Sequence, residues 1–247
     1  MNPARRRALF RRLSQKMPRP TTELEYRTPF ELLVAVMLSA HTTDRSVNAA
    51  TRKLFPQANT PQQIVALGVR GVLPYLKSVG LYNTKARNLI GLCQQLIAQH
   101  GGEVPDTREA LEALPGVGRK TASVILNMVH GKLEIAVDTH IFRVANRTGL
   151  APGKNSRAVE DALLTNVPRE YLKDAHHWLL LHGRYVCTAR RPDCPHCVLE
   201  DLCEYPDKTP AQKAAPAAAP GRASLASAIA SIDRPRIPPG KAHVRRR

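Results

Sequence analysis

Apolar residues recur at three- and four-residue intervals from residue 22 to about residue 206, the signature of helices with one buried face. Phe30, Leu33, Val34, Met37 and Leu38 form one stripe, and Leu89, Leu92, Cys93, Leu96 and Ile97 form another. Breakers at Phe55-Pro56, Gly101-Gly102 and Ala151-Pro152-Gly153 divide the stripes. Strand-like alternation is scarce, so the pattern predicts an all-α fold. Ahead of it, Met1 to Pro20 places Leu9 and Leu13 on one face with arginines around the others, which predicts an amphipathic helix. Beyond about Thr209 the composition turns to Ala, Pro and Arg, closing on Arg245, Arg246 and Arg247. Such a segment builds no core, and we expect it to be a disordered basic tail.

Charge narrows the class of partner. Lys and Arg number 37 against 20 Asp and Glu, a formal net charge of +17 over 247 residues. That excess points to a polyanion, nucleic acid being the commonest, although a basic tail on an unrelated soluble protein would give the same sum. No apolar run approaches the ~20 residues that span a bilayer. The N-terminus is Arg-rich and acid-poor, loosely like a transit peptide, but it lacks the apolar region of a secretory signal. We therefore expect an intracellular, reducing compartment in which disulfides do not form.

The most informative stretch is Leu114-Pro115-Gly116-Val117-Gly118-Arg119-Lys120-Thr121. Pro115 stops one helix, and helical spacing resumes from Thr121. Gly116 and Gly118 permit positive φ and close approach of another backbone. Their amides, at the positive end of the next helix, suit a phosphate oxygen. Val117 between them is placed to plug the hairpin's own core. The spacing is too short for a nucleotide-hydrolysing phosphate loop. Lys120 falls in the first helical turn, where the helix N-terminus disfavours added positive charge and a flipped nucleotide would disfavour it further. On the hairpin alone, Lys120 serves equally well as nucleophile or as phosphate clamp. A weaker internal similarity aligns Leu76 to Lys85 with Leu111 to Lys120, suggesting two related helical hairpins.

Two further constellations follow. The apolar run Ile135-Ala136-Val137 leads to Asp138, which precedes a helical stripe of Ile141, Val144 and Ala145. Asp138 is a natural N-cap, and a carboxylate fixed there could also accept a proton and stabilise a developing cation. Four of five cysteines, Cys187, Cys194, Cys197 and Cys203, are spaced C-x6-C-x2-C-x5-C. Dense thiols in a reducing compartment read as a four-coordinate metal site, which spacing leaves open between zinc and an iron–sulfur cluster. Arg190 and Arg191 lie in the first loop of that run and would be presented to phosphate. Cys93 reads as core, and His176, His177 and His182 as helix-packing residues.

Together these features resemble the endonuclease III family of bifunctional DNA glycosylases, members of the helix-hairpin-helix superfamily. The resemblance runs from about residue 1 to 206 and includes Pro29-Phe30-Glu31-Leu32-Leu33, Gly80-Leu81-Tyr82, the hairpin with Lys120, Val137-Asp138-Thr139-His140 and the cysteine run. It implies two helical lobes flanking a DNA-binding cleft. One would hold residues 22–132. The other would join the N-terminal helix, 1–21, to 133–206 and carry a [4Fe-4S] cluster on the four cysteines, leaving 207–247 as the tail. It further implies that Lys120 attacks C1′ of an extruded oxidised pyrimidine nucleotide, that Asp138 is the essential carboxylate, and that β-elimination through a Schiff base cuts the strand. Double-stranded DNA with damaged pyrimidines or abasic sites would be the partner, contacted by Gly116, Val117, Gly118, Arg119, Leu81, His41, His140, Arg190 and Arg191. A monomer in a bacterial cytoplasm, associated with the nucleoid, is expected.

His41 departs from the family pattern, which usually has glutamine there to fill the gap left by the flipped nucleotide. Histidine stacks and makes single hydrogen bonds but lacks an amide's paired set, which puts opposite-base preference in doubt. Leu81 matches the family's apolar wedge. The related adenine-mismatch glycosylases are a poor match, because Leu33 to Leu38 contains no catalytic glutamate and residues 209–247 cannot form their recognition domain. The remaining alternative is a non-catalytic DNA-binding or redox-sensing iron–sulfur protein.

Overall fold

The computed structural model describes residues 1–210. The expected disordered tail therefore lies almost wholly outside the described residues. Among these residues the chain is all-α, without strands. No helix of theirs is long and apolar enough to cross a membrane. The described chain divides into two compact units, one spanning Glu23–Lys132 and the other joining Met1–Thr22 to residues 133–210.

The continuous unit contains α2 (Pro29–Ser39), α3 (Asp44–Leu54), α4 (Pro61–Leu76), α5 (Tyr82–His100), α6 (Arg108–Glu112) and α7 (Arg119–Met128). α2 is its centre. Every residue from Phe30 to Leu38 is buried, so the expected one-sided stripe is in fact buried all round, as suits a helix surrounded by others. Thr28 caps it, its hydroxyl accepting from the Glu31 amide, and Glu31 returns the bond by accepting from the Arg27 amide. Glu31 is thus buried by a capping role. α4 is broken at Gly68, whose φ of 65° no helix interior allows. α5 ends at Gly101 in the left-handed region, its amide bonding the Leu96 carbonyl.

The discontinuous unit contains α1 (Pro3–Lys16), α8 (Thr139–Thr148), α9 (Ser156–Asn166) and α10 (Leu172–Tyr185), followed by the loop that carries the cysteines. At 14 residues α1 is of the ~12–15-residue length that is marginal in isolation, so docking must stabilise it. Leu9, Phe10 and Leu13 are fully buried, and Phe10 packs against Tyr171 and Trp178 at ring separations of 5.8 and 6.3 Å. The Trp178 indole N–H donates to the Met17 carbonyl at 2.8 Å. Arg12 reaches across to the cysteine loop, donating to the Val198 carbonyl at 2.9 Å and pairing with Asp201. α8 and α10 meet closely at Gly183, where a Cβ would lie 2.9 Å from that of His140.

Candidate active site and metal centre

The hairpin is built from α6, a tight turn and α7. Leu111, Leu114 and Val117 are buried, and the Val117 amide bonds the Leu114 carbonyl at 3.0 Å. Gly116 has φ of 78°, and a Cβ there would press on Asn88 at 3.0 Å. Only this glycine needs left-handed freedom. The expectation for Gly118 is corrected: its φ of −98° and ψ of 177° are the extended geometry of an N-cap. Glycine at that position brings no side chain to the first amides of α7, which leaves open space before the positive end of the helix. Lys120 sits second in α7 and is exposed.

The preceding helix pair, α4 and α5, presents a lysine of opposite character. Lys85 is only 6% exposed. Its ammonium donates to the Leu38 carbonyl at 2.8 Å, to the Thr42 hydroxyl at 3.0 Å, and to the Ala40 carbonyl. Burial pushes its pKa below the usual lysine value. The carbonyls belong to the end of α2 and the loop carrying His41. His41 and Leu81 have φ of 54° and 57°, the only non-glycine residues in the left-handed region among the described residues. Both side chains are exposed, Leu81 by 68%.

Asp138 caps α8, its Oδ1 accepting from the amides of His140 and Ile141, both at 2.9 Å. Buried Ile135, Ala136 and Val137 anchor the approach to it. His140 is fixed by Arg143, whose guanidinium lies 3.3 Å from Nδ1 and also donates to the carbonyls of Gly183 at 2.7 Å and Cys187 at 2.9 Å. The structure therefore places Lys120, the hairpin glycines, Arg119, His41 and Leu81 in one unit, and Asp138, His140 and the cysteine loop in the other.

Cys187, Cys194, Cys197 and Cys203 line a single recess together with Arg147, His182 and Tyr205. All four are free thiols. Burial pushes the Cys197 thiol up to about 11, and that of Cys203 also upward. Both would require a strong cation to ionise, which is what a metal site provides. Cys93 is buried in the other unit, its thiol pushed up to about 12, in keeping with a core position.

Several residues of this centre went unnoticed in the sequence. Arg147, one turn beyond Arg143 on α8, donates to the carbonyls of Thr188 at 2.8 Å and Ala189 at 2.9 Å and lies 3.6 Å from Cys187 Sγ. It also stacks over the Tyr205 ring at 4.6 Å. His182, expected as a helix-packing residue, lies with Nε2 3.6 Å from Cys197 Sγ, and burial pushes its pKa down to about 4. Two arginines four apart on α8, preceding a thiolate-rich loop, were the available signal. Lys208 donates to the Glu200 carbonyl, and Thr209 bonds both Pro192 and Cys194. Arg190 and Arg191 are exposed on the loop that Arg147 anchors.

Residues 34–169 match the HhH-GPD superfamily of base excision DNA repair proteins. Endonuclease III of Escherichia coli K12 is 60% identical over 208 residues, covering 84% of this chain and 99% of that protein. The Haemophilus influenzae endonuclease III is 59% identical with the same coverage. Among solved structures, a trapped endonuclease III–DNA covalent intermediate, an estranged-adenine complex, superposes with a TM-score of 0.77 at 40% identity, over 83% of this chain and 96% of that one. This chain belongs to the endonuclease III family, within the HhH-GPD superfamily of base excision DNA repair proteins.

Proposed function

We propose that Lys120 is the nucleophile and Asp138 the carboxylate partner of a DNA glycosylase with AP lyase activity, acting on oxidised pyrimidines in double-stranded DNA. Family membership makes the chain such an enzyme; the residue assignment is our reading. The observation that carries it is the exposed lysine on the first turn of α7, directly behind a turn whose amides are open to a phosphate. Desolvation of the amine comes from the bound nucleotide, since the protein leaves Lys120 exposed. Lys120 Nζ forms a bond to C1′ as the glycosidic bond breaks and the base departs with the electron pair. Asp138 takes up the lysine proton and stabilises the cationic sugar. Opening of the sugar ring gives an imine, loss of a C2′ proton follows, and the C3′–O bond breaks, cutting the strand on the 3′ side.

Gly116, Val117, Gly118 and Arg119 would hold the DNA backbone, with Arg190, Arg191 and His140 adding contacts from the other unit. His41 and Leu81 would enter the stack vacated by the flipped nucleotide. The four cysteines suit a [4Fe-4S] cluster. They line one recess, and four thiolates are the ligand set such a cluster takes. The cluster would fix the 187–203 loop; no step above draws an electron from it.

Borohydride reduction in the presence of duplexes bearing oxidised pyrimidines tests the reading. A covalent protein–DNA adduct is expected, and purified protein should be brown, with broad absorption near ~400 nm. Absence of an adduct would leave the non-catalytic DNA-binding alternative standing.

A further inference from the structure

His41 and Leu81 each occupy a left-handed conformation that a residue with a Cβ adopts only at a cost, and a leucine has no polar side chain to offset it. Such strain persists only where surroundings impose it. Here the two turns impose it on each other. The Gly80 amide donates to the Thr42 hydroxyl at 3.0 Å, bridging 38 residues of sequence. A Cβ at Gly80 would lie 3.0 Å from the His41 carbonyl and 3.3 Å from the Thr42 hydroxyl, so the turns touch backbone to backbone. Ser78 adds a bond to the Ser46 carbonyl at 3.2 Å. Beneath them Lys85 commits its three donors to Leu38, Ala40 and the same Thr42 hydroxyl.

We propose that Lys85 is a positioning residue, its ammonium acting through Thr42 to lock the His41 loop and the Leu81 turn into one rigid two-pronged wedge. The inference rests on the reading that His41 and Leu81 enter the DNA stack. A prong that yields on contact cannot hold a nucleotide out of the helix, because extrusion already costs free energy and a loose loop would have to be ordered as well. Lys85 supplies that order before DNA arrives. It reaches the substrate only through the wedge, so its loss must fall on steps that need penetration and spare those that do not.

The test compares two activities of the full-length protein under single-turnover conditions: base excision from a duplex bearing 5,6-dihydrothymine, and strand cleavage at an abasic site in single-stranded DNA. Lys85→Met, which keeps the aliphatic stem, should lower the first at least tenfold more than the second. Leu81→Ala should shift the ratio in the same direction, and Thr42→Val by threefold or more. Thr42→Val removes the bridge at a half-buried position and carries the test if Lys85→Met does not fold. An equal loss in both activities, or an unchanged ratio in Thr42→Val, overturns the proposal. A ratio moved by Leu81→Ala but not by Lys85→Met overturns it while leaving the wedge reading intact. If Leu81→Ala changes nothing, the wedge reading falls and the proposal with it.

Discussion

Lys85 and Lys120 end two stretches that align in sequence, and each lies in the first turn of the second helix of its pair. One is buried and bonded to three oxygens of its own chain; the other is exposed. The difference comes from what precedes each lysine. The turn before Lys85 docks on the loop after α2, which supplies carbonyls to the ammonium. The turn before Lys120 ends on Gly118, around which a Cβ would meet nothing within 4 Å. The same local architecture thus yields a buried structural cation in one place and an exposed lysine in the other.

The largest effect that could break this comparison is on chemistry. Lys120→Ala should reduce single-turnover excision by about 10^4-fold or more, the scale expected for loss of a covalent nucleophile, and should abolish the borohydride adduct. Lys85→Ala should still form it. An adduct lost only in the Lys85 variant would reverse the two roles.

Next comes the hairpin core. Leu111→Ala, at a fully buried position, should cost about 2–5 kcal/mol in denaturant unfolding. Gly116→Ala should cost about 1–2 kcal/mol from the left-handed φ alone, with a further penalty from Asn88. Gly118→Ala should be tolerated by the fold, since its backbone is extended, while weakening duplex binding measured by fluorescence anisotropy. Equal destabilisation by both glycine changes would contradict the distinct roles drawn for them.

The smallest effect concerns the other unit. Arg12 holds the Asp201 carboxyl below its ordinary value through a hydrogen bond that outweighs desolvation, with Coulombic attraction adding to it. A depressed carboxylate pKa contributes stability above the unfolded value of ~3.9, and that contribution is lost as pH falls through the folded value. Asp201→Asn should therefore lower the thermal midpoint slightly at neutral pH, and the two proteins should converge in acid. A difference that persists there would show that the pair's charge is not what holds α1.

The helical class and the placing of a hairpin at Leu114 to Lys120 were legible, because helical periodicity and a proline–glycine turn are local signals. The distinction between Gly116 and Gly118 was not. A glycine that needs positive φ and one that serves as a bare N-cap read alike in sequence. Nor was the fate of Lys85, which depends on carbonyls 45 and 47 residues away. Arg143 and Arg147 look in sequence like the solvated face of α8. Only folding shows that they grip the cysteine loop, and that His182 lies against Cys197.

The bond from Trp178 to Met17 spans 161 residues and has a consequence during synthesis. α1 leaves the ribosome before the other helices described, yet its apolar face has nothing to dock on until α10 follows, on the order of 10 s later at 5–20 residues per second. Glu23–Lys132 can assemble in the interval, since its helices find their partners within the same continuous segment. Cys203 and the Asp201 partner of Arg12 emerge later still. Closure of the cysteine loop is therefore a late event in synthesis, and a nascent chain stalled before residue 187 would hold a folded hairpin unit and an N-terminal helix still waiting for its dock.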